Sequence, residues 1–150
     1  MTFKKRVERT EAIRDAYCKG IQALKSADRD RIVVADSRRL SGSIDLDAAT
    51  RASQPNAARW DYGIGWIGTS ETVYWVEVHP ASSGANFGEI SGKLDWLLNW
   101  LSNEGCEFDG LRKYIVWIAS GRSAFTRTSP QLRKLASRGL SFEGRQLRIG

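Results

Sequence analysis

Hydrophobic and polar residues alternate in the middle of the chain in two short runs that predict an antiparallel β-hairpin. From Trp60 to Trp66, large apolar side chains alternate with Asp61 and two glycines, which is the period of a strand with one buried face. The run from Thr72 to His79 alternates in the same way and puts Glu77 and His79 on one face. Only a short glycine-containing turn separates the runs, so the two strands are expected to pair with each other.

Apolar residues at helical spacing predict helices around this hairpin, and further short apolar runs predict strands. The predicted helices run from Thr10 to about Ser26, from Glu89 to about Asn103 and from Ser129 to about Ser137. The further predicted strands are Arg31–Ala35, the half-exposed run Ser43–Asp47, the continuously apolar run Tyr114–Ala119 and a last run Phe142–Ile149. Leaving aside Ser43–Asp47, whose surroundings are irregular, the element order is αβββαβ followed by αβ. We therefore predict a single α/β domain over residues 1–150, with three layers around a mixed central sheet.

The composition is that of an ordinary folded domain in a reducing compartment. Hydrophobic residues make up 41% and charged residues 27% of the 150 residues, which allows a core without disulfides or structural metal. Cys18 and Cys106 form no Cys-x-x-Cys pair, so we expect reduced thiols rather than a zinc site. The basic N-terminus lacks the apolar stretch of a secretory signal, and the longest apolar run, Tyr114–Ala119, is too short to cross a bilayer. We expect a cytoplasmic protein that does not associate with a membrane.

The net charge of +6 hides an uneven distribution along the chain. Residues 1–40 carry 11 basic and 6 acidic groups, residues 41–110 carry 3 and 10, and residues 111–150 carry 9 and 1. An acidic middle part between two basic parts is typical of a carboxylate site flanked by surfaces that hold a polyanion. The alternative is a basic, soluble surface without a specific ligand.

Asp61, Glu77 and His79 are the residues best suited to carry out chemistry. In a hairpin that turns near Thr69, residue 61 lies opposite residue 77, so two carboxylates and an imidazole are expected close together. Two neighbouring carboxylates raise each other's pKa unless a cation separates them. Mg²⁺ is usually held by one or two carboxylates and water, and a neutral imidazole would favour Mn²⁺. Asp61 and Glu77 are therefore predicted to bind a divalent metal ion. The alternative is that Glu77 and His79 form only an exposed cross-strand pair.

An aspartate on one strand, 15 intervening residues and Glu-x-His on the next strand resemble the core motif of the PD-(D/E)XK, or restriction-endonuclease-like, nucleases. The resemblance implies a restriction-endonuclease-like fold and a hydrolase that cleaves DNA or RNA with Mg²⁺ or Mn²⁺ held by Asp61 and Glu77. His79 would take the place of the family's lysine, which orients or activates the attacking water. Lys93, on the following helix, would supply a displaced lysine, or it would simply pair with Glu89 four residues before it.

Five basic residues near the end of the sequence are candidates for holding a phosphate backbone. They are Arg122, Arg127, Arg133, Lys134 and Arg138. With them, the sequence predicts a metal-dependent nuclease that acts on nucleic acid. The alternative is a non-catalytic module on a degenerate nuclease-like fold that binds nucleic acid or a protein partner, and a homodimer also stays open. A nuclease requires Asp61 and Glu77, whereas a binding module requires only the basic surface.

Overall fold

The computed structural model describes residues 1–126 and 128–150. Along these residues the helices are α1 (Phe3–Arg9), α2 (Ser26–Arg29), α3 (Leu46–Thr50), α4 (Ala85–Ser102) and α5 (Pro130–Ser137). The strands are β1 (Ile32–Val34), β2 (Leu40–Asp45), β3 (Tyr62–Ile67), β4 (Glu71–His79), β5 (Arg112–Ala119), β6 (Leu140–Phe142) and β7 (Leu147–Ile149). Single turns of 3₁₀ helix lie at Glu11–Ile13, Ser37–Arg39 and Cys106–Phe108.

Five strands form one mixed sheet in the order β2-β3-β4-β5-β6. β2, β3 and β4 are antiparallel neighbours, and the predicted hairpin of β3 and β4 is confirmed, with Tyr62 opposite Val76. The chain then crosses one face of the sheet in α4, so that β5 runs parallel to β4, and β6 runs parallel to β5. A mixed sheet with helices confirms the predicted α/β class. Because β4 and β5 are parallel, their carboxyl ends meet at one edge, where His79 lies beside Ala119.

Different layers bury the two faces of the central sheet. The face that carries Trp75 and Trp117 packs against α1, α4 and α5 in one core cluster. The opposite face, with Ile64 and Val116, packs against a small parallel sheet formed by β1 and β7. The helices, the central sheet and the small sheet make three layers, and the hairpin residues Asp61 and Glu77 lie on the side of the helices.

The longest helix, α4, lies with its apolar side against the sheet. Ile90, Leu94 and Leu97 are fully buried, at the three- and four-residue spacing of a helix with one buried side. The helix begins at Ala85, four residues before the predicted start, because the Asn86 side chain accepts backbone hydrogen bonds from the preceding loop and so holds the first turn. Within the two described ranges, no helix combines the length and the apolarity needed to cross a membrane.

The helix predicted from Thr10 to about Ser26 is wrong. The apolar residues that suggest one helical stripe are divided between two cores: Ile13 lies in the cluster with the helices, whereas Leu24 lies in the cluster with the small sheet. Cys18 exchanges two backbone hydrogen bonds with Ser43, which is possible only for extended chain. Most of residues 14–25 therefore run as turns.

The first helix lies earlier, at Phe3–Arg9, and its signals are local. Thr2 accepts a hydrogen bond from the Lys5 amide and caps the start. Phe3 and Val7, four residues apart, are both fully buried, so one side of α1 packs on the sheet. Thr10 ends the helix with an extended backbone.

The first predicted strand exists outside the central sheet, and the last predicted strand is divided between the two sheets. β1 pairs with β7 in the small sheet rather than with the hairpin. Its position beside β3 is taken by β2, which contains most of the run Ser43–Asp47. The run Phe142–Ile149 is interrupted at Gly144, where φ is +70°, a conformation that glycine adopts most readily. The chain therefore turns between β6, which joins the central sheet, and β7, which joins the small one.

Replacing Gly65 with alanine is expected to destabilise the protein by about 1 to 3 kcal/mol, as in other overpacked cores. A Cβ at residue 65 would lie 2.6 Å from Cγ of Phe3, and Phe3 is fully buried. Gly92→Ala on α4 is the control, since its Cβ would meet no atom within 4 Å and alanine favours a helix by up to about 1 kcal/mol. Urea unfolding followed by tryptophan fluorescence measures both variants. Equal changes would show that Phe3 does not restrict β3 at this position.

Candidate functional site

Residues 61 and 77 lie opposite each other, as the hairpin predicts, and backbone amides hold both carboxylates. Asp61 directly precedes β3 and continues the register that pairs Tyr62 with Val76. The Asp61 amide donates to Oε1 of Glu77 at 3.1 Å, and the Val78 amide donates to Oδ2 of Asp61 at 2.9 Å. Hydrogen bonds to charged acceptors are the strong ones, so each side chain is fixed by the neighbouring strand.

Glu77 is a buried carboxylate with a lysine beside it. Its side chain is 1% exposed, and Nζ of Lys93 lies 3.0 Å from its Oε2. Lys93 also donates to the carbonyl oxygen of Arg59 at 2.9 Å, so the ammonium group is anchored on two sides. A buried carboxylate is very costly unless it is paired and hydrogen-bonded, and Lys93 meets this need. The interpretation of Glu77 and His79 as an exposed pair is therefore wrong, and Lys93 pairs with Glu77 rather than with Glu89.

His79 lies between two carboxylates at the end of β4. Its Nδ1 lies 3.5 Å from Oε2 of Glu77, and its Nε2 lies 3.1 Å from Oε1 of Glu89. The His79 carbonyl oxygen accepts a hydrogen bond from Nε1 of Trp117 at 3.0 Å, which fixes the end of the strand. The hydrogen bond with Glu77, partly offset by burial, raises the pKa of His79 above its ordinary value of 6.5. The imidazole therefore carries a proton over more of the neutral range than a free histidine does.

Two residues of α4 that the sequence did not single out as a pair, Asn86 and Glu89, position the His79 side chain. Nδ2 of Asn86 donates to Oε1 of Glu89 at 2.6 Å, and Oδ1 of Asn86 accepts from the Ser82 and Ser83 amides at 3.0 Å each. The hydrogen bond from Asn86, followed by that from His79, lowers the pKa of Glu89. An asparagine shortly after Ser-Ser-Gly was the available signal, because such side chains commonly bind the free amides at a helix start.

Arg59 is a second residue that the pattern did not select, and it fixes the chain just before β3. Its Nε lies 2.7 Å from Oδ1 of Asp47, and its side chain is 12% exposed. Nη1 donates to the carbonyl oxygens of Gln54 and Pro55 at 2.7 and 3.0 Å. Arg59 thus ties the loop after α3 to that helix, and this positions the carbonyl oxygen that anchors Lys93.

Asp61 has a strongly raised pKa. Burial is the main cause, the charge of Glu77 adds to it, and the Val78 amide and Lys93 oppose it. Together they raise the pKa of Asp61 from 3.8 to about 7. A carboxyl group with this pKa changes its charge near neutral pH, and groups of this kind are concentrated in functional sites.

Asp61 and Glu77 are the side chains of this cluster that could hold a hard divalent cation. No group of three or more His, Cys, Asp and Glu side chains in residues 1–126 and 128–150 is arranged as a metal site. Catalytic zinc usually takes three protein ligands. Mg²⁺ needs fewer, because it keeps several waters and takes further oxygens from substrate phosphates. Asp61 and Glu77 supply the oxygen ligands that Mg²⁺ or Mn²⁺ prefers, although such an ion would share Glu77 with Lys93.

The loop that follows β5 passes beside the carboxylate cluster. The Ser120 amide donates to the His79 carbonyl oxygen at 3.1 Å, and the Ala124 amide donates to that of Ala81 at 2.9 Å. Arg122, one of the predicted phosphate-binding residues, is an exposed residue of this loop. A basic side chain therefore lies in the loop beside the carboxyl end of β4.

The other predicted basic residues lie around α5, and two of them already have partners. Arg138 donates to Oγ of Ser91 at 3.1 Å and pairs with Asp95, while Arg133 donates to the Thr128 carbonyl oxygen at 3.0 Å. Lys134 lines a groove of about 360 Å³ between α4 and α5. Arg127, the remaining predicted residue, lies outside the described residues.

Comparisons with known proteins identify no relative of this arrangement. No family model matches the chain, and no curated protein or solved structure matches it. The resemblance to restriction-endonuclease-like nucleases therefore stays a prediction from the sequence, and function is inferred from the site itself.

Proposed function

We propose that this chain is a metal-dependent nuclease, with a restriction-endonuclease-like core formed by β2 to β5 and α4. The observation that carries the proposal is the convergence of Asp61, Glu77 and Lys93 at one edge of the sheet. The Asp61 amide lies 3.1 Å from Oε1 of Glu77, and Nζ of Lys93 lies 3.0 Å from Oε2. Two carboxylates and a lysine on adjacent elements are the groups that metal-assisted phosphodiester hydrolysis uses.

The residues of the cluster divide the chemistry between them. Asp61 and Glu77 would hold Mg²⁺ or Mn²⁺, and such an ion, when bound, activates water and stabilises the leaving oxygen. Lys93 balances the buried charge of Glu77 and would stabilise negative charge that develops on the phosphate. His79, whose pKa is raised, is suited to keep a proton beside Glu77 rather than to act as a strong base.

The charge distribution supports nucleic acid as the substrate. Residues 111–150 carry nine basic groups and one acidic group. The loop with Arg122 is bonded to the end of β4, so a phosphate backbone that reaches the cluster would meet a positive side chain there. Contacts of this kind do not depend on base sequence and weaken as salt is added.

Cleavage of plasmid DNA, single-stranded DNA or RNA is expected with Mg²⁺ or Mn²⁺, and it is expected to fall roughly 100-fold or more in Glu77→Gln. Glutamine keeps the size of the side chain and removes the charge that would hold the ion. Gel assays with each metal and with EDTA measure the effect. Glu104→Gln, at an exposed glutamate, is the matched control and is expected to cleave like the wild type.

Equal cleavage by the wild type and Glu77→Gln, or no cleavage of any substrate, would contradict the nuclease proposal. Thermal unfolding of Glu77→Gln separates loss of the site from loss of the fold. One observation favours the alternative of a non-catalytic binding module: Glu77 is 1% exposed and both of its oxygens already have partners. Such a module would keep its nucleic-acid affinity in Glu77→Gln and lose affinity in Arg122→Ala.

A further inference from the structure

Tyr114 departs from the burial pattern of a central strand. The continuously apolar run Tyr114–Ala119 is typical of a strand covered on both faces, and residues 115–119 are buried, but residues 112–114 are exposed. Tyr114 is 43% exposed, whereas Val116, two positions along the same face, is 2% exposed. The layout of the neighbouring strand explains the difference, because the pairing of β5 with β6 begins only at Ile115. The first part of β5 therefore has an open edge and an uncovered face.

The exposed ring belongs to a preformed aromatic surface. Tyr114 stacks on Tyr74 of β4, with ring centroids 5.0 Å apart and ring planes 26° apart. Because Tyr74 covers one side of the ring, the exposed surface of Tyr114 is its other side and its edge. A cavity of about 310 Å³ lies beside the pair and reaches Ser141, Glu143 and Arg148. This volume is at the lower end of the range for ligand pockets, so a ligand of nucleotide size is the largest it suits.

Charges of both signs surround this cavity. Arg148 lines it and has no acidic partner at ion-pair distance among residues 1–126 and 128–150. Glu143 accepts a hydrogen bond from the Ser141 hydroxyl and supplies a carboxylate. Burial, followed by the proximity of Tyr114 and Glu143, raises the pKa of Tyr74, so its hydroxyl stays a hydrogen-bond donor.

We propose that this cavity, the Tyr114 site, binds one unpaired nucleobase together with its phosphate. The base would stack on the free side of Tyr114 and extend the existing pair of rings. Glu143 would accept hydrogen bonds from N–H groups at the edge of the base, and guanine offers two such groups side by side. Arg148, which lines the cavity, would supply the positive charge that the phosphate needs. The same chemistry comes from a free nucleotide or from one nucleotide of a single strand.

The Tyr114 site is separate from the carboxylate cluster and does not depend on nuclease activity. Successive side chains of a strand point to opposite faces, so Tyr74 lies on the face of the small sheet and Glu77 on the face of the helices. Binding at the Tyr114 site needs no metal ion. It is therefore measurable in EDTA.

Tyr114→Ala is expected to weaken the binding of 5′-GMP and of a short single-stranded oligonucleotide by about tenfold or more, since base–aromatic stacking is lost. Fluorescence anisotropy with a labelled oligonucleotide and calorimetry with 5′-GMP measure the two affinities in EDTA. Tyr114→Phe keeps the ring and is expected to bind both probes like the wild type, as is Glu104→Gln at an exposed glutamate. Thermal unfolding confirms that Tyr114→Ala is folded before its affinity is interpreted.

If the wild type binds both 5′-GMP and the oligonucleotide, and Tyr114→Ala loses affinity for both, the site is one for a free nucleotide. If the wild type binds the oligonucleotide but not 5′-GMP, and Tyr114→Ala loses that binding, the site is one for a nucleotide within a single strand. The proposal is overturned if neither probe binds the wild type, or if Tyr114→Ala binds every probe that the wild type binds with unchanged affinity.

Discussion

Replacing Lys93 with methionine is expected to lower the free energy of unfolding by about 3 to 5 kcal/mol. Methionine keeps much of the side-chain volume but removes the ammonium group that lies 3.0 Å from Oε2 of Glu77. The carboxylate would remain 1% exposed, and in the two described ranges His79, at 3.5 Å, is the one remaining basic group paired with it. An uncompensated buried charge is strongly destabilising. Urea unfolding at pH 7 in EDTA, followed by tryptophan fluorescence, measures the change.

Two further variants interpret the Lys93→Met result. Lys5→Met, at an exposed residue of α1, is the matched control and is expected to change stability by less than about 0.5 kcal/mol. Combining Lys93→Met with Glu77→Gln is expected to recover most of the loss, because the charge and its partner are removed together. A loss in Lys93→Met no greater than in the control would contradict a buried ion pair at this position.

Replacing Asp61 with asparagine is expected to stabilise the fold at pH 8 and to abolish the proposed cleavage. The pKa of Asp61 is about 7 in the folded protein, against an ordinary value of 3.8. Between these pH values the unfolded chain has released a proton that the folded protein keeps. The stability that this group contributes is therefore fully present below pH 4 and is lost as the pH rises through 7. Asparagine has no charge to bury, so it avoids this loss, which is roughly 2 to 4 kcal/mol at pH 8.

The Asp61→Asn effect is identified by its dependence on pH. Urea unfolding at pH 4.5, 6 and 8 in EDTA is expected to show a difference from the wild type that grows with pH. Asp109→Asn, at an exposed aspartate, serves as the control and is expected to show no such trend. A difference that is the same at all three pH values would contradict the raised pKa. A gain in stability together with a loss of cleavage would mean that Asp61 is retained for function at a cost in stability.

The hairpin and its facing carboxylates could be predicted because their determinants are local. Strand alternation sets which side chains share a face, and a short turn sets which residues lie opposite each other. These two constraints together are enough to place Asp61 opposite Glu77. The crossing helix and the parallel strand β5 were predictable for the same reason, since their apolar patterns are long and unbroken.

The partners of the site could not be predicted because they depend on how distant segments pack. Helical spacing allows the Lys93 side chain to pair with Glu89 on the same helix or to point toward the sheet. Only the packing of α4 against the sheet places it beside Glu77. The apolar residues between Thr10 and Ser26 have the spacing of a helix, but two separate cores compete for them, and burial in both outweighs local propensity. A strand's apolar pattern also predicts that the strand exists but not which strand lies beside it, so the pairing of β1 with β7 could not be predicted.

The small sheet also bears on the order in which the molecule folds. Ile32 pairs with Leu147, so closing this sheet encloses most of the chain in one loop, with a correspondingly large entropic cost. The hairpin and the crossing unit of β4, α4 and β5 involve much shorter loops, and contacts of that kind form early. The small sheet of β1 and β7 is therefore expected to form last during folding and to open first. When it opens as a unit, its backbone amides exchange with solvent while the central sheet stays intact. Local opening of this layer would uncover Ile64 and Val116 while leaving the face that carries Glu77 and Lys93 in place.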